Sequence, residues 1–271
     1  MDGLAVWESG DPTETGVLLW PGLGATSAYF RSVAHALPGR AVVVDPPGFG
    51  RSAPPRAYSF ERLVQAAARV IEVCGCRAMV GHSLGAYVAV GVAGDPPAGL
   101  RAVVLIDGGF LDARGMAGLG MPVTASRAAL IGWLEANAPR FPGWETAIRE
   151  LATMFGSAPT PALETYLREL FTEANGEIRD LTPPDRMADL ILAVFHHDVP
   201  ALAARVAVPS LLIACGQPTE HRPAREKAWR AFASASPLVD LHVADDWAHN
   251  PILQDPEASS SLITDWLHRH L

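Results

Sequence analysis

Short apolar runs alternate along the chain with segments in which apolar residues recur at helical spacing. Four runs are continuously apolar and rich in β-branched residues, which is typical of strands buried on both faces of a sheet: 17–20, 41–44, 102–106 and 210–214. A fifth run, 238–244, alternates apolar and polar residues and indicates a strand nearer the sheet edge. Helices are predicted at 27–37, 60–74, 84–94, 222–234 and 256–270. Strands that alternate with helices predict an α/β fold with a mostly parallel, doubly wound sheet.

Between residues 112 and 200 the pattern is helical throughout. Each predicted helix carries a stripe of apolar side chains at three- and four-residue spacing. The stripes comprise Trp144, Ile148, Leu151 and Phe155, then Leu163, Tyr166, Leu167, Leu170 and Phe171, then Met187, Leu190, Ile191, Val194 and Phe195. We therefore expect an all-helical cap, 112–200, inserted between two strands of a core that is formed by 1–111 and 201–271.

The most specific chemical signal is the sequence Gly-His-Ser-Leu-Gly at 81–85. A short apolar run precedes it and small apolar residues follow, so this G-x-S-x-G pattern stands between a predicted strand and a predicted buried helix. A turn this sharp forces Ser83 into a strained backbone conformation, and Gly81 and Gly85 remove Cβ atoms that would collide across it. The serine hydroxyl is thereby exposed beside the start of the next helix. This context predicts that Ser83 is a nucleophile.

Composition narrows the class of protein and its partners. The 271 residues are 49% hydrophobic and 18% charged, which is typical of a globular protein with a substantial core. The formal net charge of −8 argues against nucleic acid or an anionic membrane as a partner. Neither a membrane-length apolar run nor a signal peptide is visible, so the expected location is the cytoplasm. The three cysteines form no metal-binding pattern with the histidines, and we expect no metal.

Four segments together resemble the α/β-hydrolase fold superfamily, in particular serine hydrolases with a helical cap. These segments are Pro-Gly-Leu-Gly at 21–24, Asp-Pro-Pro-Gly-Phe-Gly-Arg-Ser at 45–52, the serine turn at 81–85 and a late histidine, His249. The resemblance covers nearly the whole chain. It implies an oxyanion hole formed by the backbone N–H groups of Leu23 and Leu84, the second of which starts a helix whose free N–H groups favour negative charge.

The resemblance also implies the general base. A serine hydroxyl needs a base to remove its proton, and the chain has nine histidines. His249 follows the strand predicted at 238–244 and precedes a final helix, which is where the family keeps this base. His82, inside the serine turn, is expected to be a packing residue.

Several carboxylates are candidates for the acid of a catalytic triad. The family usually places the acid after the strand corresponding to 210–214, and Glu220 stands there where an aspartate is more typical. A glutamate can hold the imidazole and stabilise its protonated form in the same way. Asp107, at the end of the preceding strand, is the alternative that some family members use. Asp245 and Asp246 remain further candidates, and Glu220 is preferred.

These residues predict a serine hydrolase that cleaves a carboxylic ester, lactone or thioester through an acyl-enzyme on Ser83, without a cofactor. Carbon–carbon bond hydrolases and cyclases of natural-product metabolism use the same triad and stay open as alternatives. A non-catalytic ligand-binding member of the fold is an alternative from another class, although such proteins often lose the nucleophile or the base.

The predicted cap favours a small, mostly apolar neutral substrate. It holds twelve acidic residues against seven arginines, and this balance of −5 repels polyanions. It also holds seven aromatic residues, most of which we expect to pack within the cap. Phe195 and His196, near the return to the sheet, are expected to line the substrate pocket above Ser83. The expected partner is therefore a small molecule.

Overall fold

The computed structural model describes residues 3–271 and contains a seven-stranded sheet. The strands of the described chain are β1 (Val6–Ser9), β2 (Gly16–Trp20), β3 (Arg40–Val44), β4 (Cys76–His82), β5 (Ala102–Ile106), β6 (Arg140–Phe141), β7 (Phe171–Ala174), β8 (Glu177–Asp180), β9 (Ser210–Cys215) and β10 (Val239–Ala244). The large sheet has the order β1-β3-β2-β4-β5-β9-β10. β1 runs antiparallel to β3, and the other neighbouring pairs are parallel.

Helices cover both faces of this sheet. In chain order they are α1 (Arg31–Ala36), α2 (Phe60–Cys74), α3 (Leu84–Gly94), α4 (Ala113–Gly118), α5 (Arg127–Asn137), α6 (Trp144–Met154), α7 (Pro161–Leu170), α8 (Pro184–Phe195), α9 (Val199–Ala204), α10 (Arg222–Ser234), α11 (Pro251–Gln254) and α12 (Pro256–His268). Short 3-10 helices lie at Ser27–Phe30 and Thr219–His221. No helix among residues 3–271 combines the length and the apolar character needed to cross a membrane.

Alternate side chains of the buried strands enter two hydrophobic cores, because successive residues of a strand point to opposite faces. Leu18 and Val42 pack in a core shared with α2, α3 and α10. Leu19 and Val43 pack in a second core shared with α1 and α12. Burial on both faces explains why these strands are continuously apolar. The predicted fold class, a mostly parallel, doubly wound α/β sheet, is confirmed.

The predicted strands are all present, and the alternating run at 238–244 gives β10, which lies at one edge of the sheet. The pattern does not predict β1, a strand of four residues at the opposite edge. Its side chains are partly or fully exposed, so no buried apolar run marks it in the sequence.

The segment between β5 and β9 is mostly helical but contains strands, which corrects the expectation of an all-helical insertion. β6, β8 and β7 form a three-stranded antiparallel sheet, in which Phe171 pairs with Asp180 instead of continuing the α7 stripe. Asn175 and Gly176 form the turn between β7 and β8 with φ of 55° and 78°. Asn-Gly suits a two-residue hairpin turn because both central residues need positive φ.

Candidate active site

Ser83 lies in the tight turn between β4 and α3. Its backbone adopts φ 53° and ψ −117°, a conformation that is strained for a residue with a side chain. A Cβ on Gly81 would collide with the carbonyl oxygen of Gly85 across this turn, and a Cβ on Gly85 would collide with the backbone of Trp20 in β2. The two glycines therefore permit the turn and its close contact with the neighbouring strand.

Two further glycines bring other loops against the serine. A Cβ on Gly22 would lie 2.9 Å from the Cβ of Ser83, and a Cβ on Gly108 would collide with the Ser83 carbonyl. Leu23, which follows Gly22, and Leu84 line a cleft at Ser83. Neither of their N–H groups has a hydrogen-bond acceptor within residues 3–271. These two donors are therefore free to bind a developing oxyanion, which stays a prediction.

His249 lies in the loop between β10 and α11 and faces the serine. Its Nε2 is 2.9 Å from Ser83 Oγ, and its Nδ1 is 2.7 Å from Asp107 Oδ2. A carboxylate only accepts hydrogen bonds, so Nδ1 carries the imidazole proton and Nε2 accepts from the serine hydroxyl. The His249 side chain is 51% exposed whereas that of Asp107 is 3% exposed. The three side chains form a hydrogen-bonded chain that ends at an accessible hydroxyl.

The preference for Glu220 as the acid is corrected by this geometry. Glu220 lies in the short 3-10 helix Thr219–His221, its side chain is 75% exposed, and its carboxylate lies 3.9 Å from His221. Asp107 lies at the end of β5 with φ 42°, and its own N–H donates to the carbonyl of Ile213 in β9. Asp245, another candidate for the acid, forms an ion pair with Arg222.

Asp107 is buried within a set of donors. The N–H of Cys215 donates to Oδ1 at 3.1 Å, and Nη2 of Arg225 donates to Oδ1 and Oδ2 at 2.7 and 2.9 Å. Burial by itself raises the pKa of this carboxyl, but the hydrogen bond and charge of His249, the charge of Arg225 and the Cys215 N–H outweigh burial and lower the pKa overall. Asp107 is therefore an anion at neutral pH.

Arg225 is a residue that the sequence analysis missed. It is 5% exposed in the first turn of α10 and lies on the same helix face as the buried Trp229 and Phe232. An arginine on the core-facing side of an amphipathic helix is the signal that points to a buried partner, because arginine is rarely buried unpaired.

His82 braces the histidine loop. It is buried, its ring stacks on Tyr29 with centroids 4.4 Å apart, and its Nε2 donates to the backbone carbonyl of His249 at 2.7 Å. Burial, followed by the neighbouring charge of His249, lowers the pKa of His82 to about 3. A neutral imidazole in this position ties the loop that carries His249 to the serine turn.

The first cleft at Ser83 and His249 has a volume of about 370 Å³. Apolar side chains dominate its lining: Phe110, Leu111, Met116, Leu119, Met121 and Phe195. Phe195 lies where the sequence predicts and packs edge-on against Tyr87 with ring centroids 4.9 Å apart. His196 does not line this cleft and is exposed just beyond α8. Adjacent helix positions point in different directions, so one faces the cleft and the next faces solvent.

A second cleft, of about 280 Å³, shares Leu23, Ser83 and His249 with the first. Most of its other lining residues belong to the insertion: Pro139, Leu151, Met154, Phe155, Tyr166, Leu170, Phe171, Asp180 and Met187. The sheet core adds Gly22, Gly24, Ala25, His82 and Asn250. Burial raises the pKa of Asp180 to about 6. The serine therefore lies where two mainly apolar clefts meet.

A serine in a strained strand-to-helix turn, with a histidine and an aspartate at the same edge of a mostly parallel sheet, defines the class of α/β hydrolases. The chain belongs to the alpha/beta hydrolase family, whose model matches residues 17–260. Similar solved structures include an E-2-(acetamidomethylene)succinate hydrolase, with 22% identity, coverage of 98% of this chain and 95% of that chain, and a TM-score of 0.75.

Two further structures share the fold. The esterase from Exiguobacterium antarcticum is 13% identical, with 98% of this chain and 95% of that chain covered and a TM-score of 0.73. The enol-lactonase from Burkholderia xenovorans is 16% identical, with 98% and 96% covered and a TM-score of 0.68. At such identities the likeness shows the fold alone.

Proposed function

We propose that the protein is a serine hydrolase that cleaves a carboxylic ester or lactone through an acyl-enzyme on Ser83. One observation carries this proposal: the His249 imidazole lies 2.9 Å from the Ser83 hydroxyl on one side and 2.7 Å from the Asp107 carboxylate on the other. A serine, a base and an orienting acid at hydrogen-bond distance are the parts that nucleophilic catalysis requires.

The reaction follows from these positions. His249 Nε2 takes the hydroxyl proton as Ser83 Oγ attacks the carbonyl carbon of the substrate. The N–H groups of Leu23 and Leu84 donate to the tetrahedral oxyanion. The imidazolium, stabilised by Asp107, then gives its proton to the leaving oxygen and leaves the acyl group on Ser83. Water that is deprotonated by His249 attacks this acyl-enzyme and releases the acid.

The first cleft supports a mostly apolar substrate. Its lining is mainly aliphatic and aromatic, and outside the serine, histidine and aspartate its polar side chains are Tyr87, Gln217, His221 and Arg225. A pocket of this kind fixes a ligand by apolar contact and uses a few polar groups to orient it. The acidic balance of residues 112–200 disfavours polyanionic substrates. A small neutral ester or lactone fits both features.

The Ser83→Ala variant tests the proposal. We expect kcat for an activated ester to fall by about 10⁴–10⁶ and labelling by a fluorophosphonate probe to disappear, because the nucleophile is removed. The matched control is Ser261→Ala, which removes an exposed hydroxyl on α12 and should retain full activity and labelling. Retention of more than a tenth of the activity by the Ser83 variant would contradict the proposal.

A further inference from the structure

The second cleft contains an ionisable group that the proposed chemistry does not use. Asp180 ends β8, and its Oδ1 accepts the N–H of Thr182 at 2.6 Å. It forms no ion pair with an arginine, lysine or histidine anywhere in residues 3–271. Most of the neighbouring side chains of the insertion are apolar, and three are aromatic: Phe155, Tyr166, which also carries a hydroxyl, and Phe171. A partly buried carboxylate therefore faces an apolar cleft with acceptor capacity left over.

We propose, on the basis of the proposed function, that the second cleft binds one arm of a two-armed ester and that Asp180 accepts a hydrogen bond from a hydroxyl on that arm. Burial withdraws water from the carboxylate, and the hydrogen bonds from Thr182 offset only part of this cost, so the pKa of Asp180 is raised. A hydroxyl supplies the missing donor and adds no charge. An acidic group on the same arm would meet the carboxylate as a like charge.

The test compares esters that differ only at the end of one arm, which carries a hydroxyl, a methyl or a carboxylate in a series of graded lengths. At the length that reaches Asp180, we expect kcat/KM for the hydroxyl ester to exceed that of the methyl ester about tenfold or more, because a site built for a donor rejects an analogue that lacks it. The carboxylate ester should be the poorest substrate. Asp180→Leu should abolish the hydroxyl preference, and Asp180→Asn, which keeps one acceptor oxygen, should reduce it.

Glu173→Leu provides the matched control, because Glu173 is exposed on β7 of the same small sheet and does not line the second cleft. Equal rates for the hydroxyl and methyl esters at every length would overturn the proposal. A preference for the hydroxyl ester that survives in Asp180→Leu would overturn it as well. If Asp180→Leu does not fold, an undiminished preference in Asp180→Asn would have the same meaning. Turnover of the methyl ester requires the Ser83, His249 and Asp107 site but not Asp180. Its presence or absence therefore separates failure of the Asp180 subsite from failure of the proposed function.

Arg225 carries a second, independent inference. Its Nη2 donates hydrogen bonds to both carboxylate oxygens of Asp107, while its Nη1 donates to the carbonyl of Gln217 at 2.7 Å. The guanidinium therefore joins the carboxylate to the loop after β9. The backbone of Asp107 has a positive φ, so the orientation of its side chain depends on such contacts.

We infer that Arg225 is a positioning residue that fixes the Asp107 carboxylate toward His249 and offsets part of its negative charge. The Cys215 N–H and Arg225 both donate to Oδ1, and Oδ2, which also accepts from Arg225, is turned to the imidazole. A carboxylate whose charge is shared with a guanidinium stabilises the imidazolium less than a free carboxylate does.

Other titratable groups surround this pair: His82 on β4, Tyr87 on α3, Cys215 on β9, Tyr29 in the helix Ser27–Phe30, and His221 at the first cleft. Burial keeps His82 neutral and raises the pKa of the thiol and of both phenols. Arg225 is the residue whose cationic side chain contacts the Asp107 carboxylate.

The experiment uses Arg225→Met, which removes the charge, and Arg225→Lys, which keeps the charge but not the two-pronged geometry. For Arg225→Met we expect kcat to fall about 10–100-fold with little change in KM, because the carboxylate that orients the imidazole loses its own anchor while the substrate clefts are unchanged. Arg225→Lys should lower kcat less. Arg230→Met, an exposed position on the same helix, is the matched control.

The NMR signal of the His249 Nδ1 proton in the Ser83→Ala background gives a readout that needs no substrate, because this proton lies in the hydrogen bond to Asp107. The signal should shift or disappear in Arg225→Met and not in Arg230→Met. An unchanged signal together with an unchanged kcat would overturn the positioning role. If Arg225→Met does not fold, full kcat in Arg225→Lys would overturn it as well. Because the signal is independent of turnover, it tests the role of Arg225 even if the wild-type protein is inactive and the proposed function fails.

Discussion

At the scale of single residues, burial and orientation distinguish the two candidate acids, Asp107 and Glu220. Asp107 approaches His249 from a buried position at the end of β5, where two other donors hold it. Glu220 lies in solvent, where a long side chain has no fixed orientation and water screens its charge. An acid that orients an imidazole needs a fixed direction, and only the buried residue has one.

Asp107→Asn and Glu220→Gln test this difference. We expect kcat of Asp107→Asn to fall by about 10²–10⁴, because an amide favours the wrong imidazole tautomer. Glu220→Gln should stay within about twofold of the wild type, as expected for a solvated side chain. Melting temperatures separate loss of function from loss of the fold, since Asp107→Asn leaves Arg225 without a charged partner. A larger loss of activity in Glu220→Gln would restore Glu220 as the acid.

Single residues were predictable from the sequence where their role depends on local geometry. The glycines around Ser83 mark a tight turn in the local sequence. His249 follows a strand that the alternating apolar pattern at 238–244 indicates. The choice between Glu220 and Asp107 depends on burial and on Arg225, which is over a hundred positions from Asp107 in the chain. No local pattern contains such a contact.

At the scale of elements, apolar periodicity located the buried strands and helices because burial imposes that periodicity directly. It missed β1, which is exposed, and it missed β7 and β8, whose strands are only four residues each. In that hairpin the informative signal was the Asn175-Gly176 turn, and the apolar stripe that runs from Leu163 to Phe171 obscured it.

The turn between β7 and β8 also has a testable role, because these strands carry Phe171 and Asp180 to the second cleft. Gly176→Val places a β-branched side chain at φ 78° and should destabilise the protein by about 1–2 kcal/mol. We expect a lower melting temperature and a weaker preference for the hydroxyl ester, with fluorophosphonate labelling of Ser83 unchanged. Lys227→Val, an exposed position on α10, is the control for a surface valine. Loss of labelling in Gly176→Val would show that this hairpin supports the nucleophile as well.

At the scale of the whole molecule, we expect the negative net charge of the protein to disfavour polyanionic substrates. The formal net charge is −8, and the insertion over the site contributes −5 of it between residues 112 and 200. We expect a higher kcat/KM for a neutral acyl ester than for the matching coenzyme A thioester, because the field of the protein repels a polyanion. The comparison is made at low salt, where screening is weakest. A thioester preference of tenfold, about 1.4 kcal/mol, would contradict the expectation and favour a thioesterase.

The position of Asp107 has a consequence for how this scaffold diversifies. With the acid at the end of β5, the hydroxyl and the carboxylate both precede the insertion and the imidazole follows it, so residues 112–200 contain none of the three. The loop 216–221 contributes Gln217, Pro218 and His221 to the first cleft, but the Gln217 carbonyl also accepts from Arg225, which in turn contacts Asp107. Residues 112–200 can therefore be replaced without touching any of the three side chains, whereas a replaced 216–221 loop has to keep the carbonyl that holds Arg225.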